Sequence, residues 1–168
     1  MKRISFLLAS LLLAGCVDTE IQGAIVRAPL SIGSIDAPCK NREFAARLGD
    51  MAVLLWAKRL VSRWGVPYAD AVKSVGNPDV CIIDPTTKDH LNMCGSVAAV
   101  GCAGGWGGWL WIDSADSKWD SVPLMVHEMG HLVAQGLGIS DSAAHSEKIH
   151  TELEPLVEAD ARLLNLDE

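Results

Sequence analysis

The sequence predicts an α+β domain, and three observations predict it. A long helical stretch begins near residue 41, short apolar runs bounded by Gly, Pro and Asp follow, and helical stretches fill the C-terminal third. From Asn41 to Trp64, the residues Phe44, Leu48, Met51, Leu55, Ala57 and Val61 recur near helical spacing, and Gly65-Val66-Pro67 ends the helix. Val80 to Ile83 is a short apolar run closed by Asp84-Pro85, the pattern of a strand, and Ser96 to Val100 reads as another. Gly101 to Gly108 is glycine-rich, and Trp109-Leu110-Trp111-Ile112 then reads as a strand stopped by Asp113. Asp120 or Ser121 caps the next helix, with Pro123 tolerated in its first turn, and Gly136 or Gly138 stops it. A last helical region runs from Ser146 to Leu166, kinked or restarted at Pro155.

At 168 residues the chain has room for one domain, and its first residues stand apart from that domain. Lys2 and Arg3 precede an apolar run from Ile4 to Ala14, broken only by Ser5 and Ser10. Such a run is too short for a membrane-spanning helix, which needs about 20 residues, and has the form of a secretory signal. Leu13-Ala14-Gly15-Cys16 resembles the bacterial lipobox, which implies a diacylglycerol on the Cys16 thiol, a new N-terminus there and a lipid anchor to the cell envelope. Val17 follows, unlike the Asp that marks inner-membrane retention in bacterial lipoproteins, so the expected place is the outer membrane, facing periplasm or exterior. The expected organisation is a signal at 1–15, a lipidated N-terminus and tether at 16–38, and a folded domain at 39–168. Within the tether, Ala24 to Val26 has the makings of a strand.

Cysteines and charge fit an exported domain. Beyond Cys16 there remain Cys39, Cys81, Cys94 and Cys102, an even number that predicts two disulfides, with the connectivity open. No two of them make a C-x-x-C pair, which argues against a four-cysteine zinc site. The net charge is −7, and removal of Lys2 and Arg3 makes it two units more negative. Most of the excess lies beyond residue 112, a surface that repels nucleic acid and anionic headgroups, so no nucleic-acid partner is expected.

The chemistry-bearing motif is His127-Glu128-Met129-Gly130-His131, an HExxH within the predicted helix. Residues i and i+4 share a face, so His127 and His131 can reach one zinc ion with neutral nitrogens. Glu128 then stands beside the water that zinc activates and can take its proton, the arrangement of a metal-assisted hydrolase with one Zn2+.

With this motif the order of elements resembles the zincin metallopeptidases over about residues 41–160, although only the HExxH portion is specific. The resemblance implies a zincin-like architecture: a long helix, a small mixed sheet with an edge strand, the HExxH helix and a C-terminal helix. It implies that Gly108 to Ile112 is the edge strand offered to an extended substrate, making Trp109, Leu110 and Trp111 substrate-strand candidates. Trp109 and Trp111 share one face and have a core-packing reading as well. Ala134 and Leu137 stand where the metzincin pattern has Gly and His, which excludes that subfamily. His145-Ser146-Glu147-Lys148-Ile149 resembles the third-ligand segment of the SprT-like small zinc peptidases, which implies His145 as third ligand; Ile149 replaces the usual aromatic, and no zinc ribbon follows. Rival third ligands are Glu154 and Glu158, as in zincins with a downstream Glu, and His150, which otherwise reads as a solvent-facing helix residue.

Other candidates carry less. His90 lies in a polar loop, Tyr68 is the only tyrosine, and no Lys-Ser/Thr follows Gly104 to Gly108 to make a phosphate loop. Asp113, Asp116 and Asp120 resemble a calcium loop only loosely and read as turn and cap residues. Two functions are consistent with these residues. One is a peptidase acting on peptide or protein substrates, with Glu128 as general base; the other is a non-catalytic surface lipoprotein that uses a zincin fold as a binding module. Oligomeric state is not encoded in any pattern here.

Overall fold

The computed structural model describes residues 40–76, 78–83, 100–104, 109–113, 118–146 and 148–164. The signal, the tether, Cys16, Cys39, His90, Cys94, Asp116 and most of the Ser96 to Val100 strand reading lie outside the described residues. The element order is α1 (Arg42–Trp64), α2 (Tyr68–Val75), β1 (Asp79–Ile83), β2 (Gly101–Gly104), β3 (Trp109–Asp113), α3 (Lys118–Gly136), α4 (Asp141–Ser146), a π-helical turn (Ile149–Leu153) and α5 (Glu154–Leu163). The class is α+β, mostly helical, with one small mixed sheet. No helix among the described residues is long and apolar enough to cross a membrane.

Helix α1 is the central post. Phe44, Leu48, Met51, Leu55, Trp56 and Leu60 are all buried, and so are Ala45, Ala52, Val53 and Ala57 on intervening sides. This is a wider buried band than one amphipathic stripe, because α1 packs on α2, α3, α5 and β1 together. Val61, expected in the apolar row, is instead at the surface, 36% exposed. Gly65 ends the helix in the left-handed region at φ 64, its N–H bonded back to Leu60 and Val61 carbonyls.

The sheet order is β1-β3-β2, with β1 parallel to β3 and β2 antiparallel to it. Strand β3 is therefore central. Its Trp111 pairs with Cys81 on one side and Cys102 on the other. The outer side of β1 is met by Lys40, whose N–H donates to the Ile82 carbonyl at 2.7 Å. The outer side of β2 pairs with no other strand among the described residues. Val80, Ile82, Leu110 and Ile112 enter the helical core, and the alternating Cys81, Ile83 and Trp111 are buried too.

This order corrects the sequence reading of the edge strand. Trp109, Leu110 and Trp111 belong to the central strand, flanked on both sides, and Leu110 and Trp111 are 0% exposed. Their backbone has no free edge to offer a substrate, and the two described side chains are core. Among the described strands the outer one on this side is Gly101–Gly104, whose glycines and Ala103 lack the alternating bulk by which a strand announces itself. Two further boundaries differ. Helix α2 has no counterpart in the sequence reading, and α3 starts at Lys118, so Pro123 lies in its second turn.

Candidate metal centre

Helix α3 holds the motif rigidly. Met125, Val126, Met129, Leu132 and Val133 are buried against the core, which turns His127, Glu128 and His131 toward the sheet edge and the C-terminal helices. Trp56 of α1 locks the segment by donating its indole N–H to the Val126 carbonyl at 3.0 Å. After α3, the chain turns at Gly138 (φ 72), and α4 brings Asp141 and His145 back over the motif.

The side chains of His127 and His131 are oriented from behind. Nδ1 of His127 lies 3.2 Å from both carboxylate oxygens of Glu154, and Nδ1 of His131 lies 2.6 Å from Asp141 Oδ1. A carboxylate only accepts, so the Glu154 contact places a proton on Nδ1 of His127 and leaves its Nε2 a lone pair, while Asp141 stands at ion-pair distance from Nδ1 of His131. The Nε2 atoms of His127 and His131 face one another at 3.3 Å. Without a metal, one Nε2–H donates to the other Nε2 across that distance; with both rings in the Nδ1–H form, a cation between the two lone pairs takes the place of that proton. Tetrahedral zinc with Zn–N bonds of about 2.0–2.1 Å needs its nitrogens about 3.3–3.4 Å apart. His145 completes a set of three whose ligand atoms all lie within 4.8 Å of one another. The donor set and its spacing fit one zinc ion held by His127, His131 and His145.

Of the rival ligands, His150 and Glu154 make with His127 a second group whose ligand atoms lie within 4.8 Å of one another, and Glu158 lies apart from both groups. Glu158 is occupied at the surface by Arg162, at 2.9 Å. Glu154 reaches the centre, as the carboxylate behind His127, and also bonds Nδ1 of His150. His150 is not solvent-facing: its side chain is only 6% exposed. The reason is local. Pro155 has no N–H for a regular helical bond, and the N–H of Glu154 bonds instead to the Ile149 carbonyl, a π-type turn that carries His150 inward. Asp141 went unnoticed in the sequence because its partner is ten positions earlier, across a turn. Tyr68 opens α2, away from the motif in the chain.

Glu128 lies between α3 and the sheet edge, 6% exposed. A Cβ added to Gly101 would stand 2.6 Å from its Oε1 and 2.8 Å from its Cγ, so only glycine lets β2 come this close. A cleft of about 760 Å³ opens beside it, bordered by β2 from Gly101 to Gly104, by Glu128, His131 and Gln135, and by Asp141 and His145.

Electrostatics separates the groups by role. Burial pushes the Glu128 carboxyl up to about 7, against the pull of neighbouring His127. Burial, with the imidazoles of His127 and His150 close by, holds His131 down at about 4, in the neutral form that ligates. Glu154 is opposed by its burial, but hydrogen bonds from His127 and His150 outweigh that and hold it at about 2. The Glu154 bond raises the proton affinity of His127. This is the sense in which a carboxylate behind a ligating imidazole strengthens it as a donor.

No family model matches the chain, and neither a curated protein nor a solved structure does. The zincin and SprT-like resemblances rest on this chain's own residues.

Proposed function

We propose that this chain is a zinc-dependent peptidase, held at the bacterial envelope by a lipid on Cys16. The observation that carries the reading is the pair of Nε2 atoms of His127 and His131, 3.3 Å apart with a carboxylate beside each Nδ1, next to a buried Glu128. His127, His131 and His145 hold the ion; bound zinc supplies a Lewis acid that polarises a carbonyl and lowers the pKa of a water. Glu128, with its affinity for a proton raised to about 7, takes the proton of the attacking water. Water oxygen adds to the carbonyl carbon, the C–N bond breaks, and Glu128 passes its proton to the leaving nitrogen. The cleft of about 760 Å³ beside β2 supports a peptide substrate, because an extended chain can lie along the small residues Ala103 and Gly104 within reach of Glu128 and His131.

The test is zinc content and peptide hydrolysis of the mature protein, its Glu128→Gln variant and its His127→Ala variant. Wild type binds about one zinc and hydrolyses. Glu128→Gln keeps the zinc and loses at least about 10²-fold in rate, the usual range for a general base; His127→Ala loses both. Zinc-loaded wild type with no turnover on any peptide library would favour the binding-module reading instead.

A further inference from the structure

We infer that His150 is a positioning residue of this centre: its Nδ1 fixes Glu154 behind His127, and its ring face fixes the third ligand His145. The inference rests on the metal-centre reading above and adds a residue that the HExxH pattern does not contain.

His145 needs such support. It lies on a six-residue helix, exposed, and only Ala144 of that helix is buried. Its ring lies on the ring of His150, with centroids 4.5 Å apart and planes inclined by 18°. His150 in turn is held on three sides. Its Nδ1 bonds Glu154 Oε2, and Glu154 also lies against Nδ1 of His127. Ile149 and Leu153, which flank it in the π turn, are buried in the core. Beneath it is Gly130, where an added Cβ would stand 2.9 Å from His150 Cε1 and 3.0 Å from Trp56 Cζ2. The glycine inside the HExxH motif is thus the floor on which the His150 ring sits. One side chain thereby joins two of the three ligands to the core of the domain.

His150 is not itself a fourth ligand. A ligating nitrogen aims its lone pair in the plane of its ring. The rings of His145 and His150 are stacked with their planes inclined by only 18°, so their in-plane lone pairs run side by side rather than converging on one ion. The ligand atoms that group with His150 are those of His127 and Glu154, not the set of His127, His131 and His145. Its Nε2 is buried and makes no hydrogen bond, and the polar contact its ring makes is that of Nδ1 with Glu154.

Three substitutions separate the two contacts. His150→Asn places an amide N–H near the position of Nδ1 but removes the ring; His150→Phe keeps a ring against His145 but cannot bond Glu154; His150→Ala removes both. The measurement is zinc affinity by chelator competition on the mature protein, beside wild type and His127→Ala, with thermal unfolding of each metal-free protein. His150→Ala is expected to weaken zinc about 10–100-fold, as outer-shell losses do, with Asn and Phe each recovering part and the visible spectrum of the cobalt-substituted protein keeping its ligand set. Should His150→Ala unfold, Asn and Phe carry the comparison, each weaker than wild type. Variants that bind zinc like wild type while melting lower assign His150 to stability alone and overturn the inference. Loss of all zinc in every His150 variant, as in His127→Ala, makes it a ligand and overturns it too. Wild type that binds no zinc overturns the metal centre, a failure distinguishable from the others.

Discussion

A neutral histidine carries one proton, and the nitrogen that holds it decides which nitrogen can bind a metal. Glu154 bonds Nδ1 of His127 and Asp141 lies 2.6 Å from Nδ1 of His131, so under the proposed three-histidine set these two carboxylates act from behind the ligands. Glu154→Gln and Asp141→Asn are each expected to weaken zinc about 10–100-fold without abolishing it, read by chelator competition. Asp141, at 76% exposure, belongs nearer the lower end of that range, because solvent screens its charge. Loss as complete as in His127→Ala would contradict the assignment. The HExxH residues were legible in the sequence because their spacing is a property of one helix. Asp141 and His150 were not, because their places depend on a turn at Gly138 and on the π turn ahead of Pro155, which no periodicity records.

At the scale of elements, α1, β1, β3 and the HExxH helix follow from apolar runs and punctuation, while β2 hides in a glycine-rich stretch. Side-chain bulk misled the choice of edge: the bulky Trp109-Leu110-Trp111 run marks the central strand, and the small residues mark an outer one among the described strands. The junction of the π turn and α5 has its own pH signature. Glu154 is held at about 2 in the folded chain against an ordinary 4.5. A carboxyl lowered on folding contributes stability that is complete above about pH 4.5 and is lost as pH falls toward about 2. Thermal unfolding of the metal-free protein should therefore show a smaller loss over that window in Glu154→Gln than in wild type. Equal losses would mean that His127 and His150 do not hold the carboxylate in solution.

Across the whole molecule, the sheet order constrains the disulfides. Cys81 and Cys102 are both disulfide-bonded. Each pairs in register with Trp111, from opposite sides of β3, which sets them about 9–10 Å apart, two strand spacings. A disulfide spans about 4.4–6.8 Å between Cα atoms, so the two are not bonded to each other. Peptide mapping without reduction should find Cys81 and Cys102 in separate bridges; a Cys81–Cys102 peptide would contradict the strand order. Sequence counting predicted two bridges and left their pairing open, since connectivity is a property of topology. The proposed function requires that three imidazoles meet at one zinc, which X-ray absorption at the zinc edge of the metal-loaded mature protein reads out. Nitrogen and oxygen neighbours only are expected, at about 2.0–2.1 Å, with the outer-shell pattern of three imidazoles. Sulfur neighbours at about 2.3 Å, or fewer than three imidazoles, would contradict it.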